Sequence, residues 1–535
     1  MEKATVIIIG GGATGVGILR DLAMRGVDVL LLEKQDLVHG ASSRYHGLLH
    51  SGARYAVKDQ EAARECIEEN EILRKIGKSC VEPVGGLFVR LPEDDAEFER
   101  KWVQGCAASG IQAEEINVQE ALRIEPNLST KIVSAYRVPD AAIDGFRMAW
   151  QNADSARRYG GKIKTYTEVT GIVSVNGKIE GVRVRDFFTK EEYMIGCEIL
   201  INAAGAWAGK MAAAAGLEVN VKPDKGTLLA FNKRICNRVV NRLRVPADGD
   251  IFVPHGSITI LGTTSMGVED PEDTSSSRQE IEKLLQIGEE TFENLRSYRM
   301  LRAFAGSRPL YSAGGSEGRG ISRGFVILDH GAEGLSGMLT ITGGKFTTYR
   351  FMAEKISDVV CQKLQVTAAC RTADEPLVEE VADSVKAKAR QYFPAYGTEL
   401  ASARLGPERF QKVLDKMIQN PEKRELVCEC ENVTLAEVEE AAADETTHTV
   451  SDIRRKTRLG MGTCQGNFCA LRSAAVFLQH GTHSESGQSV AQMKDFLQAR
   501  WKGIRPILFG RTLRETEMTR AIYELTFNLN GGKIK

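Results

Sequence analysis

Residues 5–33 read TVIIIGGGATGVGILRDLAMRGVDVLLLE, and the rest of the chain is organised around them. Residues 5–9 are an apolar run of strand length. Gly10, Gly12 and Gly15 follow in G-x-G-x-x-G spacing, with Ala13 and Thr14 inside it. Ile18, Leu19, Leu22 and Ala23 then recur at helical spacing. Gly26 closes that helix, and 27–32 is a second buried strand ending at Glu33. This is a strand–turn–helix–strand unit closed by an acid at the end of its second strand, the pattern of a dinucleotide site. Gly10 allows the tight turn, Gly12 lets the backbone approach a pyrophosphate, and Gly15 lets helix and strand pack closely. The helix N-terminus offers unpaired N–H groups and partial positive charge to phosphates, and Glu33 can accept from a ribose. Taken alone, the stretch allows NAD and FAD equally.

With 535 residues, 42% of them hydrophobic, the chain can fill a large core in one to three domains. A net charge of −1 argues against nucleic acid as a partner. No apolar run is long enough to cross a bilayer, and the first strand begins by residue 5. A soluble, cytoplasmic chain without signal peptide or transmembrane segment is therefore expected, any membrane association being peripheral. Eleven cysteines do not suggest a disulfide framework. Seven are scattered (Cys66, Cys80, Cys106, Cys197, Cys236, Cys361 and Cys370) and read as small buried hydrophobes.

Beyond Glu33 and Lys34, residues 35–55 are rich in Gly, Ser and His and lie just past a strand end, where open α/β sheets bind ligands. Gly40, Ala41, Ser42 and Ser43 would let the chain pass close to a cofactor. A charged amphipathic helix is expected over 58–78. Strands are expected over 162–166, 169–175, 178–185 and 197–202, the last running into Ala204, Gly205 and Trp207. Residues 226–231, 250–254 and 257–262 read as antiparallel strands and 278–297 as a helix. The stretch 301–310 carries Gly306-Ser-Arg-Pro309. After strands 324–329 and 338–342, Gly343-Gly-Lys-Phe-Thr-Thr-Tyr349 opens a helix over 350–364, a second place for backbone to meet a cofactor or anion. The nucleotide-binding part is thus discontinuous, with a β-rich capping part inserted. The expected division is 1–365 for this α/β nucleotide-binding and capping part, 366–425 for a linker and helical segment, 426–482 for a small cysteine domain, and 483–535 for a C-terminal extension.

Between Cys428-Glu-Cys430 and Cys464-Gln-Gly-Asn-Phe-Cys469 lie two capped helices. Four thiolates so arranged can ligate a metal centre, and soft sulfur selects zinc or iron–sulfur. Zinc sites usually show C-x₂₋₄-C in both halves, so the tight C-x-C favours a 2Fe–2S cluster.

Residues 426–482 resemble the small ferredoxin domain related to bacterioferritin-associated ferredoxin. Residues 1–365 resemble the FAD-dependent glycerol-3-phosphate dehydrogenases, whose Rossmann-like domain is of the glutathione-reductase/amino-acid-oxidase type. The matching stretches are 8–17, His50-Ser-Gly-Ala-Arg-Tyr55, 202–207, Gly262-Thr-Thr264, Gly306-Ser-Arg-Pro-Leu310 and Gly343-Gly-Lys-Phe-Thr-Thr-Tyr-Arg350. With the cysteine domain and the endings Arg500-Trp-Lys-Gly503 and Arg514-Glu-Thr-Glu517, nearly the whole chain resembles the anaerobic, iron–sulfur branch of that family.

The resemblance implies FAD, and a 2Fe–2S cluster on Cys428, Cys430, Cys464 and Cys469. Besides the glycine loop, Ala13, Thr14, Glu33 and Lys34, the flavin would meet Ser42, Ser43, His50, Ser51 and Val169. Ala204, Gly205 and Trp207 complete one side, and Gly343, Gly344, Lys345, Phe346 and Thr347 the other. Arg54, Tyr55, Thr264, Arg308 and Lys345 would hold glycerol 3-phosphate, with Arg308, Lys345 and His50 catalytic. A phosphomonoester calls for bidentate guanidinium contacts, and a cation beside the flavin would stabilise a developing alkoxide. Aerobic relatives carry a histidine after a Lys-Gly-Ser stretch; here Lys225-Gly226-Thr227 leads to Leu228, which leaves His50, His255 and Lys345 as candidate bases. The implied partners are a second flavin subunit carrying FMN and a membrane-anchoring iron–sulfur subunit that passes electrons to quinone at the cytoplasmic face of the membrane. Two other readings compete: an amino-acid or 2-hydroxy-acid dehydrogenase of the same fold, and a non-catalytic electron-relay subunit.

Overall fold

The computed structural model describes residues 2–312, 318, 321–394, 396–480, 486–509 and 511–526. They form two compact units, one of Met1–Arg299 with Phe304–Leu377, the other of Met300–Ala303 with Val378–Lys535. The first division therefore falls at Leu377 rather than at residue 365. The described residues 378–394, 396–425, 486–509 and 511–526 share the unit of the cysteine domain rather than forming a separate linker and extension.

The first unit is built on a six-stranded sheet in the order Lys162–Lys164, Val29–Leu32, Val6–Ile9, Ile199–Asn202, Met338–Gly343, Phe325–Asp329. Its strands are parallel except the last. Val6–Ile9, Val29–Leu32 and Ile199–Asn202 are buried throughout, because helices cover one face and a second sheet the other. Helix Ala13–Met24 packs between Gly145–Arg158 and Tyr349–Leu364, joining the first and last segments of the discontinuous part. Close approach there depends on glycine: a Cβ on Gly15 would lie 1.9 Å from the Gly10 carbonyl oxygen.

The inserted part is a mixed nine-stranded sheet, with Gly86–Arg90 and Val239–Arg242 parallel at its centre. Val221–Phe231, Ile251–His255 and Ile258–Gly262 run antiparallel there. One expectation is corrected. Helix Arg278–Thr291 stops short of 297, because Phe292 leaves helical geometry and packs against Phe252. Arg308 lies inside the long strand Met300–Tyr311, which pairs with Val221–Phe231 in this sheet.

In the second unit, Leu435–Ala442 and Val450–Thr457 open with the reciprocal caps Thr434/Glu437 and Thr449/Asp452. Their apolar faces share a core with Cys469–His480 and with Phe496, Leu497, Trp501 and Ile504 of Ser486–Ile504.

Candidate active site and cluster site

Ile9, Leu32 and Asn202 are neighbours in register, so Gly10, Glu33 and Ala203 emerge together at the carboxyl edge of the sheet. Gly10 has φ +109°, and a Cβ there would sit 2.7 Å from the Ala203 carbonyl oxygen. Glu33 accepts from the Gly11 N–H at 2.7 Å and the Gln35 N–H at 2.9 Å, so its carboxylate is fixed beside the glycine turn. Ser42 Oγ accepts from Ala13 N–H at 3.0 Å, and Ser43 Oγ donates to Gly40, bringing the loop over the helix N-terminus. Trp207 and Lys34 meet at Glu272: the indole N–H donates at 3.0 Å, the ammonium lies 2.6 Å away, and it stands 5.0 Å over the indole. Gly205, Gly343 and Gly344 all have positive φ, as backbone passing close to a flat ligand requires. Glycines in contact with backbone, a helix N-terminus and a strand-end acid together fit a dinucleotide. Val169 lies opposite Val184 in the four-stranded sheet, two residues beyond Thr167, whose N–H donates to the Glu33 carbonyl at 2.9 Å, and packs on the cluster that holds Ile9 and Leu32.

Next to this edge opens a cleft of about 690 Å³. Ala13, Thr14, Ser42, Phe346 and Thr347 line it together with His50, Arg54, Tyr55, Arg308 and Lys345. Each cation is held. Arg54 donates to the buried Asp250 at 2.9 Å and to the Ala247 carbonyl at 3.0 Å. Arg308 pairs with Asp224, donates to Thr263 Oγ1, and reaches the Thr264 carbonyl at 3.0 Å. Lys345 donates to the Arg323 carbonyl at 2.9 Å, its ammonium 5.2 Å over the Tyr55 ring. The polypeptide backbone beneath is fixed by buried polar side chains: Asn70 donates to the carbonyls of Leu49 and His50, and Thr347 Oγ1 accepts the His50 N–H.

Two expected contacts lie elsewhere. Ser51 is fully buried beneath the cleft, its N–H donating to Asp140 at 2.7 Å, so it anchors the loop rather than facing a ligand. The Thr264 hydroxyl points away, donating to Glu280 at 2.9 Å and accepting the Thr227 N–H. Its neighbours Thr263 and Ser265 face the cleft instead. The sequence reading also missed His46, Tyr45, Asp224 and Arg323, all of which line it. His46 and Tyr45 stood in plain view in the Gly/Ser/His loop. Asp224 and Arg323 arrive from distant segments with no local motif.

His46 and His50 stack edge to face, their centroids 5.7 Å apart. Burial, then the charges of Arg308 and Arg54, push His46 down to about 3. Burial, then His46, Arg54 and Lys345, hold His50 well below the ordinary imidazole range. Both rings are therefore neutral near pH 7. Leu48 N–H donates to His46 Nδ1 at 3.2 Å, which leaves the His46 proton on Nε2. Among the described residues none hydrogen-bonds the His50 ring. His255 is spoken for, its Nε2 lying 2.8 Å from the His46 carbonyl.

In the second unit the four cysteines of the C-x-C and C-x₄-C stretches converge as two pairs. The Cys469 thiol donates to Cys428, and with the Gly460 and Glu431 N–H groups it lowers Cys428 to about 7. Cys430 and Cys464 make the other pair, and N–H groups of Phe468 and Gly466 aim at Cys464. Gly462 leaves no room for a side chain, since a Cβ would lie 2.3 Å from Cys430 Cβ. Among the described residues no three His, Cys, Asp or Glu side chains close around a single ion. Two thiol pairs with backbone N–H donors suit a two-iron centre better than one tetrahedral zinc.

Comparison with known proteins agrees with both sites. Residues 5–350 match the FAD dependent oxidoreductase family, and 426–477 match the BFD-like [2Fe-2S] binding domain. The chain is 44% identical over 529 residues to the A subunit of the anaerobic glycerol-3-phosphate dehydrogenase of Escherichia coli (strain K12), covering 98% of this chain and 96% of that one. It is 42% identical over 542 residues to the corresponding A1 subunit of Haloferax volcanii, covering 99% and 91%. In fold it is similar to the FAD-complexed glycerol-3-phosphate dehydrogenase of Bacillus halodurans, with TM-score 0.72 and 21% identity over 95% of this chain and 97% of that one. Glycine oxidase of Geobacillus kaustophilus shares the fold over 71% of this chain and all of its own, with TM-score 0.56 and 20% identity. The chain belongs to the family of anaerobic glycerol-3-phosphate dehydrogenase A subunits, which join an FAD-dependent oxidoreductase to a 2Fe–2S domain.

Proposed function

We propose that the chain oxidises glycerol 3-phosphate at C2 to dihydroxyacetone phosphate. Electrons then pass through the 2Fe–2S centre to partner subunits and quinone. The observation that carries this reading is the cleft itself, where Arg54, Arg308, Arg323 and Lys345 surround a pair of neutral histidines. A phosphomonoester with close to two negative charges matches four cations; a carboxylate needs one bidentate guanidinium. FAD, when bound, supplies the acceptor for the C2 hydride. The residues do the rest. Arg308 and Lys345 stabilise negative charge developing on the C2 oxygen, and an unbonded His50 ring nitrogen takes the hydroxyl proton. Burial first, and then these cations, hold His50 neutral; a bound phosphate offsets the cations and raises the affinity of His50 for that proton. His46, with its proton on Nε2, acts as a donor and not as the base. The partners in this reading are a second flavin subunit carrying FMN and a membrane-anchoring iron–sulfur subunit. Among the described residues no helix is long and apolar enough to cross a membrane, so another subunit would supply the anchor.

Turnover with an artificial electron acceptor tests the substrate. Glycerol 3-phosphate should be oxidised, and glycerol and lactate should not. Lactate turning over as well would favour the 2-hydroxy-acid reading, and no turnover with any substrate would favour a relay role.

A further inference from the structure

Ser486–Ile504 carries Arg500, which is 4% exposed and lies behind the loop joining Cys464 to Cys469. Its stem packs on Gly466, with Cγ 3.8 Å from where a Cβ there would be, and its head donates to the Gln465 carbonyl and side chain. Among the described residues no carboxylate pairs with it. Its charged neighbours are of the same sign, Arg302 and Arg454, while Cys464 and Cys469 are the acidic groups acting on it. Gly503 brings Arg302 close: a Cβ on Gly503 would lie 2.7 Å from Arg302 Nη2. A buried guanidinium beside two other arginines and without a carboxylate is costly unless an anion occupies the space it faces. The four-thiolate centre is that anion.

We propose that Arg500 is the buried counter-cation of the 2Fe–2S centre and raises its reduction potential, fitting the centre to take electrons from the reduced flavin. Reduction adds one electron, and so one negative charge, to a centre already anionic through its thiolates. A fixed positive charge in a low-dielectric wall stabilises the reduced form more than the oxidised one. The electron comes from the reduced flavin and leaves to the partner acceptor, so Arg500 changes no bond. It acts through charge, as a positioning and tuning residue outside the 426–477 stretch that holds the ligands. The proposal stands whichever substrate reduces the flavin.

The test is an EPR-monitored redox titration of the full reconstituted chain with dithionite, alongside iron and sulfide analysis. Arg500→Gln keeps a donor for Gln465 but removes the charge, and Arg500→Lys keeps the charge. The glutamine variant should bind electrons at the cluster at least tenfold more weakly, a fall of about 59 mV or more for a one-electron couple, with the flavin couple unmoved. The lysine variant should stay near wild type. If neutral variants load poorly, lysine should restore iron content where glutamine does not. A fully loaded Arg500→Gln protein with an unshifted cluster potential would overturn the proposal, as would equal loss of loading in the lysine and glutamine variants.

Discussion

The fully buried Asp250 carboxylate accepts Arg54 Nη2 at 2.9 Å and Arg244 Nε at 2.9 Å, so one acid beneath the cleft aims a guanidinium into it. Charge-assisted hydrogen bonds of this kind contribute about 1.5–3 kcal/mol each. Asp250→Asn should therefore raise KM for glycerol 3-phosphate roughly tenfold or more through a misplaced Arg54, with flavin content unchanged. Steady-state kinetics with an artificial acceptor check it; an unchanged KM would show that Arg54 needs no such support.

His46 makes stability depend on pH. Its folded value is depressed to about 3 from the 6.5 of a free imidazole, chiefly by burial. Its contribution is complete above about 6.5 and is lost progressively as pH falls toward about 3, where the unfolded chain binds the proton that the folded one refuses. Thermal unfolding followed across that window should show a smaller acid-side loss for His46→Gln than for wild type. Parallel curves would place the sensitivity elsewhere.

Glu69 and Arg350 tie the helix Gln60–Ile76 to Tyr349–Leu364 through a forked pair whose side chains are 3% and 5% exposed. Breaking a buried pair strands the surviving charge, a loss of about 3–5 kcal/mol. Arg350→Met should lower the melting temperature more than the paired change of Arg350→Met with Glu69→Leu, which removes both charges. Equal losses would mean that packing, not charge, dominates there.

The glycine loop and the cysteines should fail independently. Gly15→Val places a side chain where even a Cβ meets the Gly10 carbonyl oxygen at 1.9 Å, so flavin should be lost while iron and sulfide remain. Absorption and metal analysis of the purified variant report both at once.

Cys464→Ser is the converse. It removes one thiol of the Cys430–Cys464 pair and should abolish the cluster signal while leaving flavin that substrate still reduces in a single turnover. Loss of flavin as well would mean the two sites are not separate modules.

How far this could be read beforehand differs along the chain. Residues 5–33 behaved as written, since apolar runs, a glycine turn and a strand-end acid are all local signals. The caps at Thr434 and Thr449 were equally legible. The capping sheet was not, because Val239–Arg242 pairs with Gly86–Arg90, a parallel neighbour far off in the chain that no nearby pattern announces. The same kind of distance hid Asp224 and Arg323. Arg308 was named as a substrate residue, but only the pairing of Met300–Tyr311 with Val221–Phe231 shows which sheet presents it. Ser51 and Thr264 misled because a polar residue beside a glycine reads alike whether it faces a ligand or fastens the loop beneath one.

In the proposed reaction one chain takes a hydride from glycerol 3-phosphate and passes single electrons to its own cluster. Anaerobic rapid mixing of the oxidised holoprotein with glycerol 3-phosphate, followed by flavin absorbance and by EPR of freeze-quenched samples, tests it most directly. The flavin should bleach first and a reduced 2Fe–2S signal follow it, with the second phase missing in Cys464→Ser. A flavin that glycerol 3-phosphate leaves fully oxidised would contradict it.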